Sequence, residues 1–184
     1  FDHPLWVLYS SGTTGLPKPI VHGHGGILLE HLKVLSLHLD LTPDDRFFWF
    51  TTTGWMMWNL LVGGLLLGAT VVLYDGDPGH PDMGNLWRFA REAGLTYFGS
   101  SAPFIQACMK SGIRPGDELD LSAIRGLGST GAPLQPEGFR WVYENVSPDL
   151  LLASFSGGTD MCTGFVGSCP LLPVHAGEIQ CLGL

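Results

Sequence analysis

Charge is scarce in this chain. Of its 184 residues only 14% are Asp, Glu, Lys or Arg, and nine Lys+Arg against seventeen Asp+Glu leave a formal charge of -8. A surface of that balance repels polyphosphate backbones, which argues against nucleic acid as a partner. Cysteine is scarce too: Cys108, Cys162, Cys169 and Cys181 form no CxxC pair and stand at no zinc-ligand spacing from a histidine. Neither a structural zinc site nor a disulfide framework is signalled, and reduced thiols in a cytoplasmic protein are expected. The opening residues Phe1, Asp2, His3 and Pro4 put no basic stretch ahead of an apolar run, so they do not read as a signal peptide. Internal repeats, low-complexity tracts and linkers are missing, and the length suits one domain. With 45% apolar residues a core can form, while 26 glycines and 13 prolines break the chain too often for a helical bundle or coiled coil. Apolar sequence begins almost at once and runs up to Gly183 and Leu184, so residues 1–184 read as a single partial domain.

Residues 47–74 carry no charge, and a GxxxG at 64–68 raises the possibility of a transmembrane helix. Against it stand three consecutive threonines at 51–53, glycines at 54, 63, 64 and 68, and the lack of any Lys or Arg between Arg46 and Arg88. The stretch divides instead into a strand at 47–50, a helix at 56–67 capped by Gly68, and a buried strand at 70–74. The same alternation runs elsewhere: strands at 6–9 and 20–22, an apolar helix at 26–39, an amphipathic helix at 85–93 closed by Gly94, and a strand at 96–99. A helix at 103–111 starts with proline in its first turn and ends at Gly112. A short strand around Leu127, a helix at 136–145 and a buried strand at 150–155 complete the series. Repeated strand and helix units predict an α/β fold with a largely parallel sheet flanked by helices.

Three segments carry chemistry. The run Ser10, Ser11, Gly12, Thr13, Thr14, Gly15, Leu16, Pro17, Lys18 follows an apolar strand. Its glycines let backbone N–H groups turn inward, four hydroxyls add neutral donors, and Lys18 brings one positive charge, which together suit a phosphate cradle. The glycine spacing differs from that of a P-loop, and Pro17 and Pro19 forbid a helix directly after the lysine. A flexible Ser/Gly turn is the bland alternative. Residues 126–131 satisfy GxGxxG, but the strand ahead is poor and Pro133 and Pro136 delay the helix, so a small-residue turn beside a ligand fits better than a dinucleotide fingerprint. Ser156, Gly157, Gly158, Thr159 and Asp160 follow the strand at 150–155 and so stand at its carboxyl end, where open α/β sheets bind ligands. A hydroxyl followed by a carboxylate can hold a phosphate oxygen and a Mg²⁺; the bland reading is a helix cap.

In this order and spacing the segments resemble the adenylate-forming enzymes, the acyl-CoA synthetase superfamily, over essentially the whole chain. The resemblance implies part of that family's large N-terminal domain, with ATP, Mg²⁺ and CoA as co-substrate. Residues 10–18 match the family's [ST]-S-G-[ST]-T-G-x-P-K loop completely, which assigns Ser10, Ser11, Gly12, Thr13, Thr14, Gly15 and Lys18 to the ATP phosphates. Gly131, Ala132 and Pro133 are similar to its adenine-binding segment, with Ser154, Phe155 and Ser156 on the other side of the base. Its Thr-Glu pair corresponds to Thr159, on the α-phosphate, and Asp160, on the metal; Asp is one methylene shorter than the usual Glu, so a bridging water is implied. Trp55, Met56, Met57 and Trp58 resemble the segment that lines the carboxylate substrate, to which Thr130 and Gly157 are added. Acetate-using relatives carry a tryptophan where Gly157 stands; its loss implies room for a longer acid. The resemblance is greatest to the acetoacetate-activating members, and implies activation of a short-chain β-keto acid as an acyl-adenylate and then as a thioester. The catalytic assignments are Lys18, Thr159 and Asp160.

The lysine that the family's C-terminal lid domain supplies has no counterpart, since the only lysines are Lys18, Lys33 and Lys110. A non-catalytic nucleotide-binding module is therefore the competing reading. His24, His31 and His38 recur every seven residues, about 10 Å apart along a helix and too far to share one metal. They read as a polar stripe with His24 nearest a ligand. The cysteines read as small core hydrophobes, and no GxSxG supports a hydrolase.

Overall fold

The computed structural model describes residues 1–10 and 15–184. A five-stranded, wholly parallel sheet forms its centre: β3 (Arg46–Trp49), β4 (Thr70–Val72), β5 (Tyr97–Ser101), β6 (Gly126–Thr130) and β7 (Leu151–Ser154), in the order β4-β3-β5-β6-β7. The predicted α/β architecture is the one observed. Each of the first four strands is followed by a helix, because parallel neighbours need a crossover of a dozen or more residues, whereas β7 runs on into further strands. These are α2 (Met56–Gly63), α3 (Asn85–Glu92), α4 (Ala102–Ser111) and α6 (Pro136–Asn145), with a short α5 (Pro115–Glu118) that the sequence pattern did not reveal.

Side chains alternate across the strands, as a period of two requires. Phe48, Phe98, Leu127 and Leu152 enter the core shared with α3, α4 and α6. Phe47, Trp49, Tyr97 and Ala153 enter the core shared with α2 and α1 (His24–Lys33). The GxGxxG segment is settled by this second core. Residues 126–130 are an interior strand, not a turn, because the glycines lie under large rings: a Cβ on Gly128 would stand 2.3 Å from the Trp49 indole, and one on Gly126 2.5 Å from the Tyr97 ring. Only Gly131, with φ +84°, makes the turn that was expected.

Several boundaries differ from the sequence reading. The strands expected at 6–9 and 20–22 pair with each other as β1 (Pro4–Ser10) and β2 (Lys18–Gly23), an antiparallel pair outside the main sheet with Ser10 opposite Lys18. Too few residues separate them for a parallel crossover. The first helix starts at His24 and ends in a π-helical turn, Val34–His38; α2 tightens into a 3₁₀ turn, Gly64–Leu67, before Gly68 closes it in the left-handed conformation. The strand expected at 150–155 breaks at Phe155. Beyond it, β8 (Ser156–Gly158), β9 (Thr163–Gly167) and β10 (Cys181–Leu182) form a separate antiparallel sheet. Among the described residues no helix is long and apolar enough to cross a membrane; residues 47–74 form the strand, helix and strand described above.

At the amino ends of the central strands an ionic lock fixes the sheet. Asp45, 3% exposed, accepts from Arg125 Nε at 2.9 Å, from Thr96 Oγ1 at 2.6 Å and from the Thr42 backbone at 2.7 Å. Burial alone would raise its pKa, but these hydrogen bonds outweigh it and hold the carboxyl at about 2.

Candidate active site

The strand order reverses between β3 and β5, and at the carboxyl edge of the sheet the loop after β3 and the loops after β6 and β7 line one crevice. A cleft of about 330 Å³ occupies it. One wall is Trp55, Met56 and Met57, where the chain leaves β3 and enters α2. The opposite wall is Gly131, Ala132 and Pro133, after β6. The walls come close to one another, since an added Cβ on Gly131 would stand at van der Waals distance, 3.8 Å, from the Trp55 ring. Ser154, Phe155 and Ser156 form the floor, where β7 gives way to β8. This floor is tied to β6 twice, since the Phe155 N–H donates to the Ser129 carbonyl at 3.0 Å and the Thr130 hydroxyl donates to the Phe155 carbonyl at 2.8 Å. Thr130 lines the cleft, but its hydroxyl is committed to the backbone.

Gly157 and Thr159 line the far end, on the β8–β9 hairpin. The geometry at Gly157 changes the expectation attached to it. A Cβ there would lie 1.8 Å from the Thr163 carbonyl oxygen, so the missing side chain admits the close approach of β9 and does not simply leave space for substrate. Asp160 follows, exposed, and lines a second, open hollow together with His22, Gly26 and Glu30. The turn 159–160 therefore stands between the two spaces, Thr159 lining the cleft and Asp160 the hollow. The exposed Asp160 carboxylate fits a Mg²⁺ that arrives with substrate phosphates, since such an ion takes one or two carboxylates from protein and its other ligands from phosphate and water.

Not every expected residue reaches the cleft. Trp58, half-buried, is carried round α2 away from Met56 and Met57 and does not line it. Ser10 and Lys18 form the last pair of the β1–β2 ladder, Lys18 exposed, and with Gly15 they lie outside the cleft lining. Ser11, Gly12, Thr13 and Thr14 lie outside the described residues. His24 is turned away: its Nδ1 bonds the His3 carbonyl at 2.8 Å and its ring stacks on His3. The residues that sequence reasoning missed are Gly158, Thr163 and Ile179. Thr163 and Ile179 follow Asp160 by three and nineteen residues, and only the hairpin and the return of the chain bring them there. Burial pushes the Cys108 and Cys162 thiols up to about 11 and about 12, so both stay protonated.

The AMP-binding enzyme profile matches residues 2–179. The chain belongs to the AMP-binding enzyme family. It is 53% identical over all 184 residues to an acetoacetyl-coenzyme A synthetase of Rhizobium meliloti (strain 1021), covering 28% of that protein, and 44% identical to an acetoacetyl-CoA synthetase of Danio rerio, covering 27%. A solved acetoacetyl-CoA synthetase from Streptomyces lividans superposes on the whole chain with a TM-score of 0.94 at 60% identity, the chain spanning 29% of it. The chain thus spans under a third of the length of these AMP-binding relatives.

Proposed function

We propose that this chain is the nucleotide- and acyl-binding part of an acid–thiol ligase that activates a short β-keto acid, acetoacetate, as its adenylate and passes the acyl group to CoA in the cytoplasm. Residues 1–184 are read as part of one AMP-binding domain. The carrying observation is that one cleft is lined by the acyl wall of Trp55, Met56 and Met57, by the adenine wall of Gly131, Ala132 and Pro133, and by Thr159. That cleft is where a carboxylate and an α-phosphate have to meet.

In the reaction, a carboxylate oxygen of the acid attacks the α-phosphorus of ATP and pyrophosphate leaves; the CoA thiol then attacks the acyl carbon and AMP leaves. The protein's part is positioning and charge neutralisation. Thr159 donates to an α-phosphate oxygen, the loop ending at Lys18 receives the departing pyrophosphate, and Asp160 would hold Mg²⁺, which would offset phosphate charge. With a formal charge of -8, the chain needs that local cation where phosphates bind. The names of the relatives support the choice of acetoacetate; the lack of a side chain at Gly157 does not, since its cause is the packing of β9.

Calorimetric titration of the intact protein with Mg·ATP and with AMP tests the assignment. Lys18→Ala should weaken ATP by about tenfold or more, the worth of one charge-assisted contact, and leave AMP little changed. Equal losses for the two nucleotides refute the placement of Lys18 on the leaving group. Binding without any ATP–pyrophosphate exchange would instead favour a non-catalytic nucleotide module.

A further inference from the structure

The β1–β2 pair and the β8–β9–β10 sheet are separate sheets, yet the phosphate loop enters from one and the Thr159–Asp160 turn sits on the other. Two imidazoles reach across to that turn, one from β2 and one from α1, the helix that follows it. His22, at the end of the strand that Lys18 begins, donates its Nε2–H to the Asp160 carbonyl at 2.8 Å. His31, fully buried on α1, donates its Nε2–H to the Cys162 carbonyl at 3.1 Å. In each case the acceptor is a carbonyl, which assigns the proton to Nε2.

The turn they grip is not one that the chain adopts at ease. Cys162 has φ 59°, in the left-handed region that non-glycine residues avoid, and its N–H closes back on the Gly158 carbonyl at 3.0 Å. Such a conformation persists where its surroundings over-determine it. Here the carbonyls of residues 160 and 162 are each held by a histidine, the two lying nine apart in the sequence. His31 is itself fixed: its ring packs 5.8 Å from Trp6, and its Nδ1 lies against Gly63, where a Cβ would stand 2.5 Å away. Farther along, His38 Nδ1–H donates to the Ser168 carbonyl at 2.7 Å and the Ser168 hydroxyl returns a bond to the His38 carbonyl at 2.6 Å.

We propose that His22 and His31 are positioning residues that set the register between the strand following the phosphate loop and the turn presenting Thr159 and Asp160. This rests on the function proposed above. Four residues of strand separate Lys18 from His22, roughly 13 Å, so the bond at His22 fixes how far Lys18 stands from Asp160. The two histidines touch neither cleft wall; they act through the backbone of the turn.

The test is calorimetric binding of Mg·ATP and of adenosine to the intact protein, with thermal unfolding alongside. His22→Met and His31→Met remove the donor. His22→Gln and His31→Gln keep an amide N–H close to the Nε2 position. We expect the Met variants to lose Mg·ATP affinity roughly 10- to 100-fold, the range for groups that orient a ligating residue, while adenosine affinity is nearly unchanged and the Gln variants recover most of the loss. If a Met variant unfolds, His22→Asn, whose amide stops short of Asp160, replaces it. Met variants that bind Mg·ATP like wild type overturn the inference, and so do Met variants whose affinities for Mg·ATP and adenosine fall in parallel with their melting temperature. A wild-type protein that binds no Mg·ATP removes the proposed function and this inference together; tight wild-type binding that the Met substitutions leave unchanged removes the inference alone.

Discussion

Gly157→Ala adds one methyl group at the point where the β8–β9 hairpin is tightest. The new Cβ would stand 1.8 Å from the Thr163 carbonyl oxygen, 2.6 Å from its carbonyl carbon and 2.7 Å from the Gly164 Cα. All three are backbone atoms, so no rotamer change relieves the contact. Carbon and oxygen tolerate an approach of about 3.3 Å, and the strands must therefore part by on the order of 1.5 Å. The pairs Gly157 with Gly164 and Gly158 with Thr163 make up the turn end of this ladder. Forcing a methyl into a packed site costs about 1–3 kcal/mol, and a strained or broken ladder bond adds about 1 kcal/mol. The sum is a loss of about 2–4 kcal/mol in guanidinium unfolding. Because Thr159 and Asp160 ride on the same hairpin, Mg·ATP affinity should fall with it. Gly26→Ala is the control: it sits in the first turn of α1, a Cβ there meets nothing within 4 Å among the described residues, and stability should change by less than about 0.5 kcal/mol or improve. A Gly157→Ala protein as stable as wild type and unaltered in Mg·ATP binding would refute the reasoning, and would return Gly157 to the role of an open acyl pocket.

Asp45→Asn, measured by guanidinium unfolding near neutral pH, should destabilise by about 2 kcal/mol or more, since the depression of its carboxyl from 3.8 to about 2 corresponds to roughly that much at 1.36 kcal/mol per unit. The same stabilisation is fully present above about pH 4 and is lost as pH falls towards 2, so a variant whose acid unfolding curve overlays wild type in that window would contradict the lock. Trp55→Ala should raise the acetoacetate concentration that half-saturates adenylate formation by about tenfold or more, from the apolar contact removed, with a smaller effect on ATP; equal effects on acid and nucleotide would move Trp55 out of the acyl wall.

The parallel sheet was readable because most of its strands are short apolar runs and four of the five are followed by a helix with clear punctuation. Gly68, Gly94 and Gly112 all adopt positive φ at or just after a helix end, where the sequence placed them. What misled was small residues, which carry no side chain to declare a face. Gly126 and Gly128 look like a loop until Trp49 and Tyr97, far away in sequence, are seen lying across them. The antiparallel pieces were hidden for a related reason. Ser156, Gly157 and Gly158 have neither β-branched nor aromatic character, and they form a strand because β9 is close enough to pair.

The histidines show the same limit from the side of function. A period of seven identified His24, His31 and His38 as one face of a helix, and two of them do face one partner, the segment that runs from the Thr-Asp turn through β9. The third member of that set is His22, not His24. The chain is still extended at residue 22 and becomes helical only at 24, so helical spacing does not apply across that boundary. At the junction His22 turns inward to the Asp160 carbonyl while His24 turns outward to His3. Periodicity therefore found the element that carries the anchors, whereas the identity of the anchor nearest the site depended on where the strand ends, which a glycine-rich run, Gly23 to Gly26 around His24, left open. A side chain that works by holding another segment's backbone leaves no spacing signature of its own, because its partner is any carbonyl the fold brings within 3 Å.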